Sequence, residues 1–127
     1  MYTTSIPNLH VEYRLWTSEL NFFKEEVRRF EHQLEALTNQ NKKGGISAGV
    51  EQFQNRFIRQ KEVIDELKHK LALSERQLAS FVKELNGLGL NSIRMDNHVK
   101  LRADMLTFRK LYAELKNEFR KFEVVCC

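Results

Sequence analysis

Apolar and aromatic residues recur along almost the whole chain at alternating steps of three and four, and no other feature limits its fold as tightly. The first run is Leu9, Tyr13, Trp16, Leu20, Phe23, Val27, Phe30, Leu34, Leu37. The second is Ile46, Val50, Phe53, Phe57, Gln60, Ile64, Leu67, Leu71, Ser74, Leu78, Phe81, Leu85, Leu88, broken only by Gln60 and Ser74. The third is His98, Leu101, Met105, Phe108, Tyr112, Leu115, Phe119, Phe122. This spacing is the a/d seam of a coiled coil, and it makes each segment a helix with one apolar stripe to bury. All but one of the nine Phe lie on the seam, which makes the aromatics core rather than a ligand box.

The interruptions define the elements. Pro7 and Asn8 read as a helix start with Asn8 as N-cap. The polar, Gly-rich stretch Asn39 to Gly49 reads as a turn, with Ser47 able to cap the next helix. Asn86 to Ser92, NGLGLNS, holds two glycines to end that helix and Asn91 or Ser92 to cap the third. The expected helices cover about 8–39, 48–86 and 92–123, within one domain of 1–127 ending in a flexible tail at 124–127. Helices of about 30 to 40 residues span roughly 45 to 60 Å. With two short turns the chain folds up-down-up, an all-α antiparallel three-helix bundle with heptad packing, its first and third helices parallel.

Charge supports that arrangement. The net charge is +4. Met1 to Gln40 holds six acids against four bases, and Asn91 to Cys127 five acids against eight bases. With Tyr13 at a, Glu12, Glu19 and Glu26 all fall at g on the first helix. With Met105 at a, Arg102, Arg109 and Lys116 all fall at e on the third. Acidic g residues facing basic e residues pair parallel helices. An offset of ninety matches Glu12 to Arg102, Glu19 to Arg109 and Glu26 to Lys116. A g residue meets the e residue five positions on in a parallel pair, so the core layers are offset by eighty-five, which sets Tyr13 level with His98. Each such exposed pair contributes only about 0.5 kcal/mol, so the row selects register more than it stabilises.

Two registers of the second helix satisfy the pattern, one heptad apart. One places Gln60 beside Tyr112, and Ser74 beside Tyr13 and His98. The other places Phe81 beside His98. The first is preferred because it gives polar core groups polar neighbours, and an unpartnered one costs about 1 to 3 kcal/mol.

Candidate chemistry resolves to surface or core. Glu66 and His69 form a Glu-x-x-His unit, the kind from which helical di-iron sites are built. The frame puts Glu66 at c and His69 at f, both turned outward, and there is no second such unit. The seam holds no acid. His32 falls at f and His10 at e. Only His98 is on the seam, and with no carboxylate in its layer it reads as a polar core residue grouped with Tyr13 and Ser74. No GxSxG, HExxH or glycine-rich phosphate loop occurs, so no catalytic residue, cofactor or metal ligand is expected and the chain is read as a non-enzyme.

The two cysteines, Cys126 and Cys127, are adjacent and cannot staple a fold. A reducing, cytoplasmic setting is expected. A terminal Cys-Cys resembles the doubly prenylated tail of small vesicle-trafficking GTPases, but their phosphate loop is absent, so a plain tail is the reading. MYTTSIPNLH lacks the basic and apolar regions of a signal peptide, and no apolar run is long enough for a membrane span, so no membrane partner is expected.

Apolar residues off the seam remain. Val11, Leu15 and Phe22 on the first helix, and Val99 and Leu106 on the third, flank the groove outside the charge row at matching heights. Such a patch suggests a protein–protein interface, with a second copy of the chain as the simplest partner. The expected function is therefore a non-enzymatic scaffold or self-assembling homodimer. A basic protein associated with nucleic acid is the alternative and a metal-dependent enzyme the third reading. Nucleic acid is not favoured, because the row engages three of the basic residues of the third helix and no nucleic-acid motif is present.

Overall fold

The computed structural model describes residues 3–40, 47–84, 92–94 and 96–126. Within them the order is β1 (Thr3–Ser5), α1 (Ile6–Gln40), α2 (Ser47–Glu84), β2 (Ser92–Arg94) and α3 (Asp96–Cys126). The three long helices pack against one another as an all-α bundle, with α2 antiparallel to α1 and α3. The packing of α1 on α2 is the most intimate and that of α1 on α3 the least.

The three-and-four pattern is what these helices bury. Tyr13, Leu20, Phe57, Ile64, Met105 and Phe119 have essentially no exposure, and Phe23 and Phe122 pack on the core from its margin. Each fully buried side chain of this size contributes about 1.5 to 3 kcal/mol. Of the seam positions, Ile46, Leu85 and Leu88 lie outside the described residues, as does the side chain of Phe81. Gln60 is only half-buried.

Aromatic rings mark the layers. At one end Phe119 meets Phe30 at 5.3 Å, Phe53 at 5.5 Å and Phe57 at 5.0 Å between centroids. At the other, Tyr13 and Trp16 flank His98 at 5.5 and 5.4 Å. Phe53 against Phe119, and Ser74 beside Tyr13, belong to the register in which Ser74 joins the His98 layer. Lys24–Asp65 at 2.7 Å and Lys61–Glu31 at 3.0 Å hold α1 to α2 in the same register. Two threonines inside α1 return their hydroxyls to the helix, Thr17 Oγ1 to Tyr13 O and Thr38 Oγ1 to Leu34 O, each at 2.9 Å.

The element ends differ from expectation in three places. First, α1 begins at Ile6, so Asn8 is not its cap. Pro7 occupies the first turn, where a missing N–H costs no helical hydrogen bond. Second, Ser92 does not cap α3. It belongs to β2, which pairs antiparallel with β1 through Thr3–Arg94, Thr4–Ile93 and Ser5–Ser92. Ladder hydrogen bonds thus replace the helical ones that residues 92–94 would have made, and α3 starts at Asp96. Third, α3 runs on to Cys126, so Val124 and Val125 are exposed helical residues rather than a tail. Asn91, and the glycines expected to end α2, lie outside the described residues.

At the far end, Gly49 lets the first turn of α2 approach α3. A Cβ on it would come 2.6 Å from Phe122 Cε1.

Candidate functional site

The outer side of the α1/α3 groove carries the apolar surface. Val11, Leu15 and Phe22 of α1, and Val99 and Leu106 of α3, are 44 to 63% exposed. Tyr13 packs on His98 and so fixes the relative heights of the two helices. Leu15 lies two residues beyond Tyr13 and Val99 one beyond His98, and Phe22 and Leu106 stand in the same relation to Leu20 and Met105 a heptad on. Phe22 is braced by Phe23, whose ring lies 5.7 Å away and packs in turn on Tyr112 at 4.5 Å.

Beneath the patch the structure brings the acidic and basic rows together. Arg102 Nη2 donates to both carboxylate oxygens of Glu12 at 2.7 Å. Arg109 forks onto Glu19, Nε to Oε2 at 2.7 Å and Nη2 to Oε1 at 2.8 Å, and this raises the pKa of the guanidinium. Lys116 Nζ donates to Glu26 Oε2 at 3.1 Å. The first two pairs are part-exposed, as rim residues should be.

Glu26 is different, and it corrects the expectation that all three pairs of the row are exposed. It is only 8% exposed and accepts a hydrogen bond from the buried Tyr112 hydroxyl. Burial disfavours its charge. The Tyr112 and Lys116 hydrogen bonds more than offset that, and Glu26 stays ionised below the usual carboxylate range. The same burial and the same carboxylate push the Tyr112 phenol upward. Gln60, expected beside Tyr112, does not receive this hydroxyl. Its buried Oε1 has no donor among the described groups.

The polar layer of Tyr13, Ser74 and His98 forms, with one correction. A carboxylate does reach it: Glu12 Oε2 lies 3.0 Å from His98 Nε2. Glu12 starts at the rim, but its side chain is long enough to lean into the layer. Arg102 Nη2 also lies 3.1 Å from Nε2. Trp16 stacks on the imidazole at an interplanar angle of 12°. Burial lowers the His98 pKa; Glu12 opposes that and Arg102 adds to it. Tyr13 is pushed up to about 12 by burial and by Glu12, with the neighbouring Ser74 hydroxyl acting the other way.

The other histidines lie outside the core. His10 is 4.0 Å from Glu75, and His32 and His69 face solvent. Glu66 is exposed and lies 3.4 Å from Arg59 Nη1. Among the described residues no group of three or more His, Cys, Asp and Glu is arranged to hold a metal ion, and no helix is long and apolar enough to cross a membrane.

A further row of contacts escaped the sequence reading. Along the α2/α3 groove the g positions of the two helices face each other, with Arg56–Glu118 at 2.6 Å and Lys70–Asp104 at 3.7 Å. Between these pairs Val63 and Leu111 line one recess of about 250 Å³, and a neighbouring recess of about 200 Å³ is bordered by Leu73 and Lys100. Both are smaller than the roughly 300 to 1,000 Å³ of typical ligand pockets. The signal was available: in an antiparallel pair these residue numbers share one sum. Val63 and Leu111 interrupt the charges in the middle of the row and hide it.

No protein-family model matches this chain, and neither the curated proteins nor the solved structures contain a match to it.

Proposed function

We propose that this chain is a non-enzymatic helical-bundle protein of the reducing cytoplasm, packed as an intramolecular coiled coil, that works through protein–protein contact. Its simplest partner is a second copy, docked through Val11, Leu15, Phe22, Val99 and Leu106. The observation that carries this reading is the exposure of large apolar side chains at matched heights on two neighbouring helices, over charges already satisfied within the chain. Single exposed apolar residues are common on any protein. Five of them flanking one groove resemble the apolar centre of an interface with a polar rim. The contact is isologous, so a two-fold axis passes through the patch.

Sedimentation equilibrium tests this. The expected result is a dimer at tens of micromolar that dissociates on Phe22→Glu, with helical content unchanged because Phe22 is outside the core. A monomer at that concentration, indifferent to Phe22→Glu, refutes the interface.

A further inference from the structure

We propose that Glu12, His98 and Arg102 form an acid-sensitive latch: when His98 takes up a proton, it displaces Arg102 from Glu12 and loosens the first turns of α1 and α3 from each other. This does not depend on self-association.

The geometry carries the inference. His98 has no exposure, and its Nε2 sits between two competing groups. Arg102 Nη2, at 3.1 Å, offers a proton; Glu12 Oε2, at 3.0 Å, offers a lone pair. A neutral imidazole that accepts from Arg102 leaves Glu12 to the guanidinium, which already holds both carboxylate oxygens at 2.7 Å. A proton arriving on Nε2 from solvent turns that atom into a donor. Two donors then face each other at 3.1 Å, and two cations share one carboxylate. Arg102, with a side chain 43% exposed, has room to swing out into water; the buried His98 does not. The outermost rung of the α1/α3 row is thereby lost.

The surroundings make proton uptake unfavourable in the closed state. Among the described side chains, the titratable and charged groups around His98 are Glu12 and Tyr13 from α1 and Arg102 from α3. From α2, Ser74 faces Tyr13, and Glu75 acts on that phenol and on His10. The ring is also in the first turn of α3, where the helix dipole opposes added positive charge. Glu12 and the stacked Trp16 face attract an imidazolium, but neither replaces the water that burial removes. A base whose folded pKa lies below its unfolded value is protonated preferentially when the structure opens. Closure is therefore complete above pH 6.5 and weakens as pH falls below it.

Hydrogen–deuterium exchange between pH 7 and pH 5, corrected for intrinsic rates, reads this directly. The expected result is a loss of about tenfold in protection over the first turns of α1 and α3 in the wild type, absent in His98→Gln. Constant protection in the wild type, or an equal loss in His98→Gln, overturns the latch. If His98→Gln does not fold, NMR titration of the wild-type imidazole decides: a pKa below 6.5 supports the proposal, and one at or above 6.5 overturns it.

Discussion

Removing one oxygen from Tyr112 should be disproportionately costly. Tyr112 is 3% exposed, and its hydroxyl donates to a carboxylate that is itself almost fully buried. Tyr112→Phe keeps the ring against Phe23 and Phe108, so little apolar contact is lost. What disappears is a hydrogen bond to a charged acceptor, typically about 1.5 to 3 kcal/mol. Glu26 keeps Lys116 at 3.1 Å, which places the expected loss near the lower end, about 1.5 to 2 kcal/mol. Urea unfolding at pH 7, at a protein concentration where the chain is monomeric, should show a lower midpoint with an unchanged slope. The pH dependence sharpens the test. Glu26 has a folded pKa below its ordinary value of 4.5, so its favourable contribution is present above pH 4.5 and fades as pH falls through the folded value. The gap between wild type and Tyr112→Phe should therefore narrow as pH falls through that folded value, because the bond then comes to join two neutral groups. A loss under about 0.5 kcal/mol at pH 7, within the range of an ordinary surface substitution, or a gap that widens in acid, would show that the carboxylate does not depend on this hydroxyl.

Two further substitutions probe the helix contacts. Gly49→Ala gains about 1 kcal/mol of helix propensity but drives a methyl into Phe122. Overpacking costs of about 1 to 3 kcal/mol should leave a net loss in thermal melts, partly recovered by adding Phe122→Leu. Reversing one charge of the middle rung, Glu19→Arg or Arg109→Glu, should destabilise by about 1 kcal/mol in urea titration. The double reversal should return to within about 0.5 kcal/mol of wild type, because the two residues face each other across the groove.

Much of the architecture was legible because heptad spacing carries two messages at once. Its apolar positions state which face of each helix is buried, and the charges beside them state which helix lies next door. Glu12, Glu19 and Glu26 repeat without interruption, so their pairing with the basic residues of α3 is plain in the sequence alone. What stayed hidden depended on side-chain reach. A heptad letter places the Cβ, whereas Glu12 and Glu26 extend several bonds further and put their carboxylates against His98 and Tyr112. The strands were hidden for another reason. Three residues such as Thr3–Ser5 have too little pattern to mark them, and their partner lies in a distant part of the chain. The apolar patch was legible as composition and position.

The β1–β2 pairing has a consequence for the order in which the chain can assemble. It joins residue 3 to residue 94, and closing a flexible loop of roughly 90 residues for a three-residue ladder costs about 4 kcal/mol in chain entropy. Such a ladder cannot nucleate folding. It forms once α1 and α3 already lie side by side with their starts aligned, when the loop has been closed by the core. The strand pair is therefore a late event in folding and an early one in unfolding. It acts as a reporter of whether the two parallel helices have found their register.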